Sequence, residues 1–154
     1  MKQGKNCKIW HPEKSVLLNA VCGDGCTIHA PVWIGDGVRI GNRCRIQAFA
    51  FLPSGVSLGD DVFIGPGVTF LNDRFPPSDR LQWQTIEVGN GAVIGGRAVI
   101  LPGLVIAAGA KIGAGAVVTR DVKAGHWVVG NPAKQIFRTK SFSRSARLKD
   151  RVCA

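Results

Sequence analysis

A chain of 154 residues with 45% hydrophobic composition is long enough to bury one sizeable core, and it is not a disordered segment. Its net charge of +10 suggests nucleic acid, but seven basic residues between Lys134 and Arg151, opposed by Asp150 alone, supply +6 of that total. Such a charge run, confined to one end and matching no recognised nucleic-acid motif, excludes a nucleic-acid footprint spread over the whole protein.

The opening segment, from Met1 to Ser15, is polar, with His11-Pro12 marking a turn, and Met1 to Asn6 lead into no signal-peptide core. No apolar run approaches membrane-spanning length, so a cytoplasmic protein of one domain, residues 1–154, is expected, with no membrane or nucleic-acid partner. From about residue 16 to 130 a six-residue period runs through the chain. Its leading residues are Ile28, Ile34, Ile40, Ile46, Leu52, Leu58, Ile64 and Phe70, then Val88, Ile94, Ile100, Ile106, Ile112, Val118 and Ala124. A small apolar residue follows each lead by four, as in Val32, Val38, Cys44 and Ala50, and glycine often follows directly, as in Gly35, Gly41 and Gly65.

Neither a helix at period 3.6 nor a half-buried strand at period 2 gives this pattern. Each hexad reads as a short strand plus a corner, and such strands bury nothing until they stack coil upon coil. The expected fold is therefore all-β, a parallel β-helix of between four and five coils. Crossover rules alone would favour a right-handed winding. Cys22, Cys26 and Cys44 fall on inward positions, where cysteine acts as a small hydrophobe; Cys7 and Cys153 lie near the ends.

One segment interrupts the ladder, the loop at about 71–87, and the repeat resumes 18 residues after Phe70. A long polar loop that leaves its scaffold in phase is a place to expect function. It contains Asn72, Asp73, Arg74, Asp79, Arg80 and Trp83, with Pro76 and Pro77 stiffening it and Phe75 and Leu81 available to pin it down. Asn72 is suited to orient an amine, and Asp73 to accept a proton or hold a cation. The loop has no histidine, and His11, His29 and His126 are too scattered for a metal centre, so no metal is expected. Without a strong base, an acceptor that is already nucleophilic, such as an amine, fits better than a hydroxyl. The Gly-x-Gly patterns at Gly35, Gly65 and Gly113 are corners and not a phosphate-binding fingerprint. The ladder ends at Gly130-Asn131-Pro132, and the basic segment 131–154 reads as a short helical cap or an arm.

The stretch from Asp60 to Ser78, with Phe70-Leu71-Asn72-Asp73 followed by Phe75-Pro76-Pro77-Ser78, resembles the hexapeptide-repeat acyltransferases. It is most similar to the branch that acetylates 3-amino sugars carried on UDP or dTDP for bacterial O-antigen and surface glycans. Gly41 to Gln47 and Val117 to Lys134 carry the same resemblance, which covers roughly residues 28–136. It implies a left-handed β-helix, a homotrimer with active sites between neighbouring prisms, and acetyl-CoA as co-substrate. In that scheme Asn72 and Asp73 form the catalytic pair, and Arg74, Trp83 and His29 face the substrate. Gly96 and Ala114 share the corner along the pantetheine arm, and Lys134 and Arg138 meet the CoA phosphates. The chain departs from the family at Leu71, where threonine is usual, and at Ala48-Phe49-Ala50-Phe51, where paired asparagines are usual. Both changes make the substrate surface more apolar. Trp33 and Trp83 suit either base stacking or packing at an interface. Three alternatives remain at this point: O-acetylation of a sugar or serine-like hydroxyl, a non-catalytic β-helix scaffold, and nucleic-acid binding through the tail.

Overall fold

The computed structural model describes residues 1–137 of the chain. It is a left-handed parallel β-helix whose strands stack into three sheets, the faces of a prism. Face I runs from Lys2–Gln3 to Val105–Ile106, face II from Lys8–Trp10 to Lys134–Ile136, and face III from Val16–Leu17 to Val117–Val118. In regular coils each residue pairs with the one three hexads on, as Ile40 does with Leu58 and Ile46 with Ile64.

Each strand alternates inward and outward only once, so its two inward residues flank one outward residue. Val32 and Ile34, or Val38 and Ile40, are buried in this way, while Trp33 and Arg39 between them face out. Stacking then places Ile28, Ile46, Ile64, Ile94 and Ile112 in one continuous column inside face II. Each such burial contributes roughly 1.5–3 kcal/mol. All the core side chains are apolar, with no buried polar or charged residue among those described.

The corners divide their demands between two positions. Glycine directly after the lead is there for close approach: a Cβ on Gly95 would lie 2.5 Å from the Ala114 amide nitrogen of the next coil. The left-handed backbone falls two positions later, at Gly37, Gly67 and Gly115 with φ near +70°. Arg43, Phe49, Asp61 and Arg97 hold it too, at φ 54–65°. The corner between faces I and II is further tied by a ladder of side-chain acceptors. The Asp24, Asn42, Asp60 and Asn90 side chains each accept the backbone N–H of the coil below, from Lys5, Asp24, Asn42 and Asp60 at 2.7–2.9 Å. Arg43 donates two hydrogen bonds to Asp61, at 2.8 and 2.7 Å.

Three expectations from the sequence need correction. The ladder starts at Lys2, not near Val16, so the solenoid has about seven coils. The first coil hides because its phase slips. Ile9 pairs with Ile28, one position beyond the regular offset, and Leu17 pairs with Ile34, one position short of it. A 3-10 turn at Pro12–Lys14 takes up the difference. At the other end Ala124 is exposed and does not lead a hexad. Val122 bridges Ile106 and Val128 pairs with Ile112, each two positions short of the regular offset, because that coil is contracted. Finally, the segment after Gly130 opens as a strand, Lys134–Ile136, antiparallel to Trp127–Val129, and not as a helix. The backbone groups of Trp127–Val129 pair with a returning strand, which closes that edge directly. The rest of the basic segment, including Arg138, lies outside the described residues.

Candidate active site

The loop replaces a single corner, the one between faces III and I. On face I, Leu58 pairs with Ile40 in the coil below and with Val88 in the coil above. The step up to Val88 is longer than the step down to Ile40 by the equivalent of two hexads, and that excess is the insertion. Phe70, fully buried, is the last ladder residue before it, and Ile86, also fully buried, is the first after it. The neck is closed where the Gln84 amide donates to the Asn72 carbonyl at 2.8 Å.

Asn72 stands at this neck, half-buried, with Nδ2 donating to the Ser54 carbonyl of the coil below at 3.1 Å. That bond fixes which way the carboxamide points. Its Oδ1 accepts no hydrogen bond from the described residues and remains available to a donor such as an amine.

Asp73 is placed differently from the sequence expectation. Its carboxylate accepts from the Phe75 amide at 3.0 Å, the Ser78 amide at 2.9 Å and the Ser78 hydroxyl at 2.8 Å. Partial burial works to raise its pKa, but the Ser78 and Phe75 donors outweigh that and hold it below the ordinary carboxylate value. A carboxylate so satisfied is a weak base, and its bonds tie the turn from Phe75 to Ser78. The apolar pins expected at Phe75 and Leu81 are absent: these side chains are 78% and 98% exposed, and backbone-directed polar bonds order the loop in their place.

Trp83 is half-buried, with the Arg80 guanidinium 5.5 Å from its ring centre. Its indole N–H is buried with no acceptor among the described residues, a state that costs about 1–3 kcal/mol. Trp83, Gln84 and Thr85 line a 440 Å³ hollow with Glu87 and Gly103. Arg74 is exposed on the loop. A larger open trough of 730 Å³ follows face I from Val21 to Val105, lined mainly by apolar side chains and corner glycines, with Arg39, Ser57 and Glu87 as its polar members.

The corner between faces II and III carries the second part of the site. Pro66, Gly96 and Ala114 stack there, joined by Arg97 N to Pro66 O at 2.8 Å and Gly115 N to Gly96 O at 2.9 Å. Phe49, Pro66, Gly67, Gly96 and Arg97 enclose a 570 Å³ groove, with Phe49 70% exposed. Above it the Val129 side chain overlies Gly113, and Val129 pairs with Lys134. Gly96, Ala114 and Lys134 therefore ascend one corner. Lys134 also borders a 380 Å³ cavity with Arg120 and Lys123, a basic cluster in which Asp121 is the one acidic member among the described residues; His126 lines it too. Sequence reasoning missed Arg120 and Lys123, because the contracted last coil disguised their position.

His29 is not near the loop within the chain. It belongs to Thr27–His29 on face II and stacks on Trp10, with ring centres 6.1 Å apart and planes 14° from parallel. Face III, lying between the loop corner and the glycine corner, presents Val16, Trp33, Phe51, Thr69, Val99 and Val117 outward. Trp33 and Phe51 pack against each other there with ring centres 6.0 Å apart, 42% and 37% exposed.

Comparison with known proteins accords with this architecture. Residues 37–72 and 85–120 match the family described as bacterial transferase hexapeptide, six repeats, with the loop falling in the gap between the two matches. Nodulation protein L of Rhizobium meliloti is 38% identical over 145 residues, covering 85% of this chain and 76% of that protein. Protein CapG of Staphylococcus aureus is 40% identical over 114 residues, and the match spans 65% of each protein, just under two thirds. A mutant of GDP-perosamine N-acetyl transferase from Caulobacter crescentus, solved in complex with CoA and GDP-perosamine, superposes with a TM-score of 0.68 at 25% identity. That match covers 86% of this chain and 54% of that one. In its coils, its inward columns and its one interrupted corner, this chain belongs to the hexapeptide-repeat family of bacterial transferases.

Proposed function

We propose that this protein is an acetyl-CoA-dependent N-acetyltransferase acting on the amino group of a nucleotide-linked amino sugar, in the cytoplasmic synthesis of a bacterial surface polysaccharide. The observation that carries the reading is Asn72, whose Nδ2 is anchored on the Ser54 carbonyl while Oδ1 stays open. In this reading Oδ1 accepts a hydrogen bond from the substrate amine and aims its lone pair at the thioester carbonyl. Attack forms the C–N bond, and collapse of the tetrahedral intermediate breaks the C–S bond and releases CoA thiolate. The amine proton passes to solvent or to the departing sulfur. Asp73 orders the loop around that position and does not remove the proton itself.

The pantetheine arm runs along the corner of Gly96 and Ala114, where a backbone free of large side chains leaves room. Its phosphates meet Lys134, Arg120 and Lys123. Backbone amides fixed at the corners supply oxyanion stabilisation without reorganisation. Arg74 and Trp83 face the nucleotide sugar from the loop. His29 takes part only if a neighbouring copy presents it, because within the chain it is held against Trp10.

The apolar outward row of face III fits contact between copies in a homotrimer, with the loop of one prism meeting the glycine corner of the next. The CoA-bound and sugar-bound state of the Caulobacter relative supports the pairing of ligands. The O-acetylation alternative requires a base for the hydroxyl, and the loop carboxylate is already saturated by its own donors. Thiol release from acetyl-CoA, measured with purified protein and a panel of UDP-, dTDP- and GDP-amino sugars, tests the proposal. Release that depends on one amino sugar supports it. Binding of acetyl-CoA without release for any amine would remove the acceptor assignment.

A further inference from the structure

The floor of the prism holds a feature that acyl transfer does not use. Three cysteines from separate segments converge inside the corner between faces I and II: Cys7 before the strand Lys8–Trp10, Cys22 in Val21–Cys22, and Cys26 before Thr27–His29. Their Sγ atoms all lie within 4.8 Å of one another, and Cys7 and Cys22 are 3.9 Å apart. Bonds of about 2.3 Å from one metal ion to three sulfurs place the sulfurs about 4 Å from each other. The thiols are thus already near the spacing that a single ion requires.

Their access is graded. Cys22 and Cys26 are 2% and 1% exposed, while Cys7 is half-buried at the open end of the first coil. The Cys7 thiol donates to the Gly23 carbonyl at 3.0 Å, so a carbonyl oxygen stands beside the cluster, placed to serve as a fourth donor. Cys44, the next thiol up the corner, touches the Cys26 thiol and donates to Gly59 O at 3.1 Å, but it is not within reach of all three. No histidine or carboxylate joins the cluster among the described residues. A donor set built on sulfur selects soft ions over hard ones.

From this convergence we infer that Cys7, Cys22 and Cys26 form a binding site for one thiophilic d10 cation of the Zn²⁺ or Cu⁺ class, which closes the N-terminal end of the β-helix. Binding replaces three S–H bonds by three S–metal bonds and releases three protons, with no change of oxidation state. The inference does not depend on the acetyltransferase reading.

The test uses reduced full-length protein carrying Cys153→Ser, titrated with Cd²⁺ while the sulfur-to-metal charge-transfer absorption is followed in the ultraviolet. The expected result is saturation at one ion per chain with release of about three protons. Cys7→Ser, at the accessible rim, should weaken binding at least tenfold, and Cys44→Ala should still bind one ion per chain. Zn²⁺ and Cu⁺, each competed against Cd²⁺, then distinguish the two ions. Zn²⁺ or Cu⁺ should also protect Cys7 from maleimide in the wild-type chain, a readout that needs no core substitution. Absence of the charge-transfer band, a band insensitive to Cys7→Ser, or air oxidation to a Cys7–Cys22 disulfide without metal uptake would each overturn the site.

Discussion

Replacing Asn72 by alanine separates positioning from folding. The side chain contributes one hydrogen bond to the scaffold, from Nδ2 to the Ser54 carbonyl at 3.1 Å, in a half-buried setting. A bond of this kind is worth about 0.5–1.5 kcal/mol. For a chain of this size each kcal/mol shifts Tm by roughly 2–4 °C, so Asn72→Ala should lower Tm by only a few degrees. The neck bond from the Gln84 amide uses the Asn72 main-chain carbonyl and survives the substitution. Loss of a preorganised polar contact at a reacting centre typically costs about 10²–10³ in turnover. Steady-state acetyl transfer beside differential scanning fluorimetry should therefore show kcat falling by about that factor, with KM for acetyl-CoA nearly unchanged. Asn72→Asp should be no better, because it sets a carboxylate oxygen against the Ser54 carbonyl. An Asn72→Ala protein that kept full kcat would refute the positioning argument, and one that lost its fold would refute the stability estimate.

Other consequences follow from the same geometry. Asp73 titrates with a folded pKa held below its ordinary 3.8, so the stabilisation it provides is complete above that value and is lost as pH falls through the folded pKa. Loop proteolysis should accordingly rise below about pH 4 in the wild type, and Ser78→Ala should move the onset upward in pH. Lys134→Ala should raise KM for acetyl-CoA severalfold with little change in kcat, and the wild-type KM should itself rise with salt. Gly95→Ala should destabilise the ladder in denaturant melts by more than Gly37→Ala does, since its Cβ would meet the Ala114 backbone at 2.5 Å. Gly37→Ala meets no atom within 4 Å and should cost only the roughly 1–2 kcal/mol of left-handed backbone. Trp33→Glu should shift light-scattering mass toward the monomer, because it sets a charge on the apolar row of face III.

The middle of the solenoid was legible because its signal is repeated: an inward apolar side chain leading every hexad from Ile28 to Phe70 needs no other evidence. The ends were not, because single insertions and deletions reset the phase where there are too few coils to recover it. The slip at Ile9 and Leu17 and the contracted coil at Val122 are of this kind. The glycine after each lead was visible, but its cause was not. Sequence marked a corner, and the structure shows close approach there, with the left-handed residue two places on, including non-glycines such as Arg43 and Phe49. At the site, composition marked the loop, and Asn72 stands where an amine could be held. It did not reveal that Asp73 is engaged by Phe75 and Ser78, since a carboxylate with donors close by in the chain looks identical to a free one in sequence.

The most direct test of the central claim is mass analysis of the acceptor after incubation with acetyl-CoA. A nucleotide amino sugar should be offered against its otherwise identical hydroxyl counterpart. The account predicts addition of one acetyl group to the amine-bearing sugar, stoichiometric with CoA released, and none to the hydroxyl sugar. Acetylation of the hydroxyl sugar at a comparable rate would contradict it.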